Sequence, residues 1–319
     1  MSKPRIFIDG HAGTTGLRIR HWLAERPDLA LTTLDETDRK SEPARRKAIV
    51  ESDLAILCLP DAAAAMAAGW ADESGSRILD ASSCHRVADA WVYGLPELAP
   101  AQREAIREAR KVTNPGCYPS AFILLVRPLV DAGLLPSHAP LTIHALSGYT
   151  GGGKALIERW ESAAHGLGNQ AFESPYALEK IHKHVPEMQR YANLDHAPQF
   201  VPAVGPFACG MRVEVPLHAA ILAEGSSGEA VWQAFADRYR EEPFVELAAY
   251  SGLEPVGEAH LDPTALNGTN RLRIHVFPNP QGHILLVGIL DNLGKGAAGV
   301  AIQNLNLMLG LDEQTGLPG

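Results

Sequence analysis

The sequence predicts an α/β domain with a parallel sheet, followed by an α+β domain built on a mixed, mostly antiparallel sheet. In residues 1–115, short apolar runs alternate with helical patterns, which is typical of βαβ units covered on both faces. Beyond residue 116 the apolar runs are longer, and two of them are joined by a hairpin sequence. The length of 319 residues also fits roughly two domains.

Each domain has its own set of predicted elements. The first has strands at Arg5–Asp9, Leu29–Leu34, Leu54–Leu59 and Ile78–Asp80, and helices at Leu17–Ala24 and Ala62–Trp70. The second has strands at Leu141–Leu146, Gly210–Leu222, Val245–Tyr250 and Arg271–Asp291, the last folded back at Asn279-Pro280-Gln281-Gly282, and helices at Gly228–Glu241 and Ala297–Leu309. We assign residues 1–115 to the first domain and 116–295 to the second, and residues 296–319 contain a helix that can return to either.

Composition excludes several classes of protein. A net charge of −9 disfavours nucleic-acid binding, which requires a basic surface. No apolar run reaches the roughly 18 residues that span a bilayer, and the start lacks the apolar core of a signal peptide, so we expect a cytoplasmic protein without a membrane partner. Four scattered cysteines without a CxxC pair argue against a disulfide framework and fit a reducing compartment.

Asn114-Pro115-Gly116-Cys117-Tyr118-Pro119 puts a cysteine in a tight turn before Ser120–Leu125, an apolar run that predicts a buried helix. A thiol at a helix N-terminus faces backbone N–H groups and the positive end of the helix dipole, which favours the reactive thiolate. A free cysteine is otherwise usually a small buried hydrophobe. We interpret Cys117 as a candidate nucleophile because of the motifs that accompany it.

A glycine-rich turn, Gly10-His11-Ala12-Gly13-Thr14-Thr15-Gly16-Leu17, follows the first predicted strand. Glycine lets the backbone approach a pyrophosphate, and the helix that follows offers N–H donors. The position favours a Rossmann-type dinucleotide site. The alternative is a tight turn that needs glycine for packing only. The expected cofactor contacts are Gly10, Gly13, Thr14, Thr15, Gly16 and Leu17.

The end of the second predicted strand should distinguish NAD from NADP. An acid there binds the ribose 2′-hydroxyl, whereas a basic residue accommodates a 2′-phosphate. Asp35 and Glu36 come first, and Arg39 and Lys40 follow. These residues favour both cofactors, so the preference stays open at this point.

The loop after the fourth predicted strand reads Asp80-Ala81-Ser82-Ser83-Cys84-His85-Arg86-Val87. Ligands bind at the carboxyl ends of strands in open α/β sheets, and the planar fork of Arg86 suits phosphate. The alternative for Arg86 is an exposed, solvated side chain. Cys84 and His85 are adjacent, but no further ligands are spaced around them in the sequence, so we expect no metal site.

Residues 148–154 satisfy a GxxxxGK pattern after an apolar strand. A phosphate-binding P-loop needs Ser or Thr after the lysine to bind magnesium, and Ala155 stands there. An ATPase is therefore the weaker interpretation. We expect an N–H-rich loop that brings Lys154 near an anionic substrate.

His182-Lys183-His184-Val185-Pro186-Glu187 contains two histidines before a helix predicted at Pro186–Tyr191. If the segment is extended, the two rings project to opposite sides and only one can face a given site. With a reactive cysteine elsewhere in the chain, a histidine here becomes a candidate acid/base. The alternative is a surface or capping residue.

Six motifs in this order carry a resemblance over nearly the whole chain. They are Ile8–Gly10 with Gly13–Leu17, Leu57–Asp61, Tyr93–Leu98, Asn114–Pro119, His182–Glu187, and Asp291–Leu293 with Lys295–Gly299. With these motifs the chain resembles the N-acetyl-gamma-glutamyl-phosphate reductases, in particular the shorter of their two types. It is more distantly similar to the aspartate-semialdehyde dehydrogenases.

The resemblance implies an NADP-binding Rossmann domain, a catalytic domain with a mixed sheet, a C-terminal helix packed on the first domain, and a homodimer or homotetramer. It implies that Cys117 is the nucleophile and that a histidine of the HxHxPE segment is the acid/base, for which we take His184 and keep His182 as the rival. It implies that Arg86 holds the acyl phosphate. Further contacts are expected from Lys154, His182 and Glu187 with the substrate, and from Arg39, Ser82 and Asn292 with the cofactor.

The implied reaction is the NADPH-dependent reduction of N-acetyl-L-glutamyl 5-phosphate to the semialdehyde and phosphate, a step of arginine biosynthesis. It proceeds through a thioacyl intermediate on Cys117. Asp35 and Glu36 depart from the NADP pattern. Aspartate-semialdehyde dehydrogenase is the alternative of the same chemistry, and a P-loop-like ATPase is the alternative of another class.

Overall fold

The computed structural model describes residues 3–162, 172–255, 257 and 261–318. The backbone divides into two compact units. The first comprises the chain up to Gly116 together with Ala297–Pro318, and the second comprises Cys117–Gly296. Within the described ranges, no helix has both the length and the apolar character that crossing a membrane requires.

The first unit contains a parallel sheet in the order β2-β1-β3-β4-β6-β5. Its strands are β1 (Arg5–Asp9), β2 (Ala30–Thr32), β3 (Leu54–Leu57), β4 (Arg77–Asp80), β5 (Val92–Tyr93) and β6 (Lys111–Thr113). Its helices are α1 (Thr14–Leu23), α2 (Glu42–Glu51), α3 (Asp61–Ser74), α4 (Gln102–Glu108) and, from the end of the chain, α9 (Gly299–Met308).

The predicted strands and both predicted helices of this unit are confirmed, with shifts of a few residues at their ends. Helix α2 was not predicted because it buries few side chains, among them Arg45 and Ile49, and therefore lacks a clear apolar stripe. Its start is marked instead by Ser41, whose hydroxyl accepts a hydrogen bond from the backbone N–H of Ala44.

Helix α9 lies in the core of the first unit. Ile302 and Leu305 are fully buried and share a hydrophobic cluster with Ile6 and Ile8 of β1. Gln303, Asn304 and Asn306 of the helix are buried as well, and each donates a hydrogen bond from its side-chain NH₂ group. The Asn304 side-chain amide donates to the carbonyl of Gly94 over 2.8 Å. A helix buried on all sides must satisfy its polar groups in this way.

The second unit contains a mixed sheet in the order β11-β12-β13-β10-β7-β9-β8. Its strands are β7 (Thr142–Gly148), β8 (Ser174–Pro175), β9 (Gln199–Gly205), β10 (Met211–Leu217), β11 (Val245–Leu247), β12 (Leu272–Pro278) and β13 (Ile284–Leu290). Its helices are α5 (Cys117–Asp131), α6 (Gly153–Glu161), α7 (Val185–Tyr191) and α8 (Gly228–Tyr239). Most neighbouring pairs are antiparallel, whereas β11 with β12 and β7 with β9 are parallel.

The predicted hairpin is confirmed as the pair β12 and β13. Asn279 makes its turn, because the side-chain oxygen of Asn279 accepts hydrogen bonds from the backbone N–H groups of Gln281 and His283, each over 3.0 Å. Gly282 takes a φ of +79°, where a residue without a Cβ is favoured. The turn therefore sets the register between β12 and β13.

The role of α9 in the first core gives a stability prediction. Ile302→Ala should destabilise the protein by about 2–5 kcal/mol, because it leaves a cavity among fully buried neighbours. Met66→Ala is the matched control, since Met66 lies on α3 of the same unit and is 47% exposed. Denaturant unfolding of the two variants measures the difference. Equal stabilities would contradict a core position for α9.

Candidate active site

Cys117 is the first residue of α5. The helix was expected to begin at Ser120, and it begins three residues earlier, so the cysteine lies within the first turn. Side chains from Tyr118 to Val126 are buried without interruption, whereas Cys117 itself is half-buried. The helix dipole and the N–H groups of this first turn favour an anion at the sulfur.

Gly296 lies directly against Cys117. A Cβ added at Gly296 would lie 2.8 Å from the Cβ of Cys117 and 3.2 Å from the backbone oxygen of Asp291. Neither neighbour can move as the tip of a long side chain could. No role was predicted for Gly296 from the sequence, although it lies in the Lys295–Gly299 motif. The structure shows that this glycine leaves room for the cysteine.

Two tyrosines lie next to the start of α5. Tyr176 donates a hydrogen bond from its hydroxyl to that of Tyr118 over 3.1 Å. Burial raises the pKa of Tyr118 well above its usual value and that of Tyr176 to about 12. Both hydroxyls therefore keep their protons at neutral pH. Neither tyrosine was predicted from the sequence as a site residue. Tyr118 is adjacent to the candidate nucleophile in the Asn114–Pro119 motif, whereas no sequence pattern pointed to Tyr176.

His182 and His184 lie on the same side of their segment. Their ring centroids are 4.7 Å apart, and they lie 6.1 and 5.7 Å from the ring of Tyr118. The segment is therefore not extended, and the expectation that only one of the two rings can face a given site is wrong. The chain turns here, and the backbone N–H of Val185 donates to the carbonyl of His182 over 2.9 Å. This turn brings both rings towards Tyr118.

The two histidines differ in their hydrogen bonds. The backbone N–H of His184 donates to Nδ1 of His182 over 3.2 Å, so a neutral His182 carries its proton on Nε2. That Nε2 lies 3.5 Å from the hydroxyl of Tyr176. His184 is buried and occupies the N-cap position of α7, and its carbonyl accepts from the N–H of Met188 over 3.1 Å. His182 is therefore held by contacts at both ring nitrogens.

Glu187 and Lys154 are in opposite environments. Glu187 is buried in the first turn of α7, where the helix dipole favours a carboxylate. Lys154 lies on α6 with its side chain 90% exposed, and its amine is 3.8 Å from the carboxylate of Glu158. Their predicted contacts with substrate remain predictions, and Lys154 does not take part in the ring cluster around Tyr118.

The expectation of an N–H-rich loop at residues 148–154 is wrong for its first half. The backbone N–H groups of Gly148, Tyr149 and Thr150 donate to carbonyls of residues 207–210 over 2.8–3.1 Å. Residues 149–152 then form a 3₁₀ turn that leads into α6. A phosphate cradle needs such N–H groups to be available, and these are already used. The hydrogen bonding of these N–H groups therefore argues against a P-loop. The alanine at position 155 argues against it independently.

Asn292 supports the same loop. Its side-chain oxygen accepts from the backbone N–H of Gly210 over 2.8 Å, and its amide donates to the hydroxyl of Thr150 over 3.2 Å. The residue is fully buried. The structure thus gives Asn292 a supporting role in the second unit, and its predicted contact with the cofactor remains a prediction.

The glycine turn of the first unit connects β1 to α1, which begins at Thr14. Gly10 has a φ of +83°, and an added Cβ would lie 2.2 Å from the carbonyl oxygen of Cys58. A Cβ at Gly16 would lie 2.5 Å from the oxygen of Gly10. Packing alone therefore requires glycine at positions 10 and 16. At Gly13 the nearest atom would be 3.5 Å away, which is an ordinary contact.

Gly13 is therefore the position that packing does not explain. It is the N-cap residue of α1 and has no side chain to bond the first N–H groups of that helix. An anion can approach these groups closely. Thr14 and Thr15 form the first turn, and the side chain of Leu17 is exposed beside it. This arrangement fits a pyrophosphate, and packing does not account for the glycine at position 13.

The acids after β2 are already engaged. One oxygen of Asp35 accepts from the hydroxyl of Thr37 over 2.8 Å and from the backbone N–H of Asp38 over 2.9 Å. These hydrogen bonds lower the pKa of Asp35. Glu36 forms an ion pair with Arg39. The acids Asp35 and Glu36 and the base Arg39 are therefore already bonded to other groups of the protein.

Arg86 is buried in the loop after β4, so the alternative of a solvated side chain is wrong. Its guanidinium donates to the carbonyl of Ala81 over 3.1 Å. Ser82 in the same loop donates from its hydroxyl to a carboxylate oxygen of Asp80 over 2.7 Å. Their predicted contacts with phosphate and cofactor remain predictions.

Cys84 and His85 have a third potential metal ligand beside them, so the expectation that no further ligand lies near them is wrong. Asp80, four residues before Cys84, lies at the end of β4 with a carboxylate oxygen 2.7 Å from Nδ1 of His85. The turn that follows β4 folds the loop back over this carboxylate. Spacing in the sequence alone could not show this, because the distance depends on the path of the loop.

The four thiols have different surroundings. Burial, with the nearby carboxylates of Asp80 and Asp9, raises the pKa of Cys58 to about 12. Burial also raises the pKa of Cys84, although a hydrogen bond with Ser82 acts in the opposite direction. Both thiols are therefore less often ionised at neutral pH than an ordinary cysteine, whereas Cys117 lies at a helix N-terminus.

Family models match both parts of the chain. Residues 5–109 match the semialdehyde dehydrogenase NAD binding domain, and residues 117–292 match the semialdehyde dehydrogenase dimerisation domain. Among solved structures, aspartate semialdehyde dehydrogenase II of Vibrio cholerae superposes with a TM-score of 0.74 at 18% identity, covering 97% of this chain and 99% of that one. At this identity the likeness concerns the fold.

Curated relatives are similar over their full length. The N-acetyl-gamma-glutamyl-phosphate reductase of Trichormus variabilis is 48% identical, over 99% of this chain and 100% of that protein. The protein of the same name in Burkholderia ambifaria is 47% identical over 98% of each chain. N-acetyl-gamma-glutamyl-phosphate reductase 2 of Pseudomonas putida is 46% identical over 97% of this chain and 98% of its own.

The thiol environments give a labelling prediction. Iodoacetamide at neutral pH should alkylate Cys117 fastest, because the thiolate is the reacting form and is disfavoured at Cys58 and Cys84. Peptide mass spectrometry over a time course measures the four rates. Cys84 is the internal comparison, since it is also half-buried. Faster labelling of Cys84 than of Cys117 would contradict the assignment.

The glycine turn gives a second prediction. Gly13→Ala should leave the melting temperature nearly unchanged and weaken binding of the nicotinamide cofactor, whereas Gly16→Ala should destabilise the fold by about 1–3 kcal/mol through overpacking. Thermal unfolding and a fluorescence titration with the cofactor separate the two effects. Wild-type cofactor affinity in Gly13→Ala would return this turn to a packing role.

Proposed function

Since the chain belongs to the semialdehyde dehydrogenase family, as one of its N-acetyl-gamma-glutamyl-phosphate reductases, we propose that it reduces N-acetyl-L-glutamyl 5-phosphate. The products are the 5-semialdehyde and phosphate, in a step of arginine biosynthesis. Identity of 48% over the whole length of a reductase carries this proposal. The position of Cys117 at the N-terminus of α5 supports it.

Cys117 is the nucleophile in this proposal. Its thiolate attacks the acyl carbon, a carbon–sulfur bond forms, and the bond to the phosphate oxygen breaks. This covalent thioester divides one difficult reaction into two easier ones. The first turn of α5 favours the thiolate, and Gly296 leaves space for the Cβ of Cys117.

A nicotinamide cofactor, when bound, supplies the hydride that reduces the thioester carbon. The residues proposed to hold its pyrophosphate are those of the Gly10–Leu17 turn, with Gly13 at the point of approach. We propose that NADP is the preferred cofactor and that Arg39 binds its 2′-phosphate. Arg39 would then exchange its exposed partner Glu36 for the phosphate, and exposed ion pairs of this kind are weak.

His184 is the proposed acid/base. It protonates the oxyanion that develops at the former carbonyl. The hydroxyl of the thiohemiacetal then returns this proton to His184 as the carbon–sulfur bond breaks, which releases the aldehyde and the Cys117 thiolate. His182, whose Nδ1 is occupied by the backbone N–H of His184, positions that segment and the hydroxyl of Tyr176. His182 remains the rival for the acid/base.

Arg86 is proposed to hold the phosphoryl group of the substrate. Its buried guanidinium, fixed by the carbonyl of Ala81, presents a preoriented planar fork. Ser82 is proposed as a cofactor contact on the same loop, Asn292 as a further one, and Lys154 and Glu187 as substrate contacts. The match to a dimerisation domain supports a homodimer or homotetramer. All four cysteines lie in the described ranges and form no disulfide there, which supports a cytoplasmic location.

The reaction itself tests the proposal. In the reverse direction, the purified protein should reduce NADP when it is given N-acetylglutamate 5-semialdehyde and phosphate. The absorbance of the reduced nicotinamide measures the rate. Aspartate semialdehyde is the matched control substrate, and NAD is the matched control cofactor. Turnover of aspartate semialdehyde with no reaction of the acetylated substrate would overturn the proposed specificity. Turnover in Cys117→Ser would overturn the mechanism.

The Arg86 proposal predicts that Arg86→Lys is damaging although charge is kept, because a point charge cannot make a bidentate contact. The KM for phosphate in the reverse reaction should rise about tenfold or more, roughly 1.4 kcal/mol. Cofactor affinity, measured separately, should hardly change. An unaltered phosphate dependence would remove Arg86 from the substrate site.

The histidine assignment predicts different losses for two matched variants. His184→Asn should lower kcat about 10²–10⁴-fold and flatten the pH profile near neutrality, as loss of a general acid/base does. His182→Asn should lower kcat less and keep the shape of the profile. Steady-state rates across pH measure both. The opposite order would make His182 the acid/base.

A further inference from the structure

The loop after β4 gathers three side chains that commonly bind metals. Ligand atoms of Asp80, Cys84 and His85 all lie within 4.8 Å of one another. The Oδ2 atom of Asp80 is 2.7 Å from Nδ1 of His85 and 3.8 Å from Sγ of Cys84. The same Sγ is 3.2 Å from Nδ1 of His85. Each residue can thus direct one atom to a common centre.

These distances are close to those of a zinc site. Zinc is bound at about 2.0 Å by oxygen and nitrogen and at about 2.3 Å by sulfur, so its tetrahedral ligands are roughly 3.3–3.8 Å apart. An ion would replace the hydrogen bond between Asp80 and His85 and open that contact by roughly half an ångström, on the same geometry. Side-chain rotations supply such a change without moving the strand.

Neighbouring groups already orient two of the three ligands. The backbone N–H of Ser82 donates to Oδ1 of Asp80 over 2.9 Å, and the Ser82 hydroxyl donates over 2.7 Å to Oδ2, the oxygen that faces His85. The ring of His85 stacks on Trp91 with centroids 4.1 Å apart. Such outer contacts hold the ligands of metal sites in place. Asp80 is buried, whereas Cys84 and His85 are half-buried and give an ion access.

We propose that Asp80, Cys84 and His85 bind a divalent ion of the zinc class, with water as the fourth ligand. A thiolate, an imidazole and a carboxylate together favour Zn²⁺ over the hard cations Mg²⁺ and Ca²⁺, which prefer oxygen ligands alone. The ion would join the end of β4 to the loop that carries Arg86. The site uses none of the residues proposed as nucleophile or acid/base.

Co²⁺ is the probe, because a cobalt–thiolate bond gives a charge-transfer band and tetrahedral Co²⁺ gives intense visible bands. The titration uses the full chain carrying Cys117→Ser, which removes the thiol of the candidate active site as a second source of a cobalt–thiolate band. One equivalent should bind with both bands, and Zn²⁺ should displace it while excess Mg²⁺ should not. The measurement needs no turnover, so it is independent of the proposed reaction.

Two variants in that background locate the ion. Cys84→Ser keeps a hydrogen-bonding group of similar size and should abolish the charge-transfer band. His85→Phe keeps an aromatic ring to stack on Trp91 and should weaken binding tenfold or more. Cys209→Ser is the matched control and should bind as the parent does. Circular dichroism verifies folding of each. No cobalt–thiolate band in the parent, or a band that survives Cys84→Ser, would overturn the proposal.

Discussion

The burial of helix α5 is the constraint on which the candidate active site depends. Its side chains from Tyr118 to Val126 are all buried, so a rotation of the helix would disrupt close packing on every face and create clashes and cavities. The helix packs against β10, β13, α7 and α8. Cys117 is its first residue, and His184 occupies the N-cap position of α7. Packing between two helices therefore holds the proposed nucleophile and acid/base in one part of the second unit.

Close packing around small groups determines much of the remaining chemistry. Gly296 leaves space for the Cβ of Cys117, and Gly16 lets α1 approach the backbone of Gly10. The same closeness separates the thiols, because Cys58 loses water and lies near carboxylates while Cys117 lies at a helix terminus. Residues of one type thus differ in reactivity through their surroundings.

Elements with a regular apolar period could be predicted from the sequence. The strand at Arg5–Asp9, the hairpin closed at Asn279 and the helix that starts at Gly228 are present within a few residues of the expected bounds. Helix α2 escaped prediction, because a helix that buries few side chains needs no apolar stripe. The second strand was predicted too long, since β2 pairs with β1 through Ala30–Thr32 and its burial is incomplete.

The sequence by itself determined the two-part architecture, the glycine turn after β1 and the cysteine at the N-terminus of a buried helix. These features depend on local period and turn chemistry, which neighbouring residues specify. The tertiary structure alone decided that His182 and His184 face the same tyrosine, that the N–H groups of residues 148–150 are already bonded, and that Asp80 meets His85. Each of these depends on how a loop folds back onto a distant or adjacent element. Sequence spacing does not encode such distances, because a turn of a few residues can reverse the direction of a side chain.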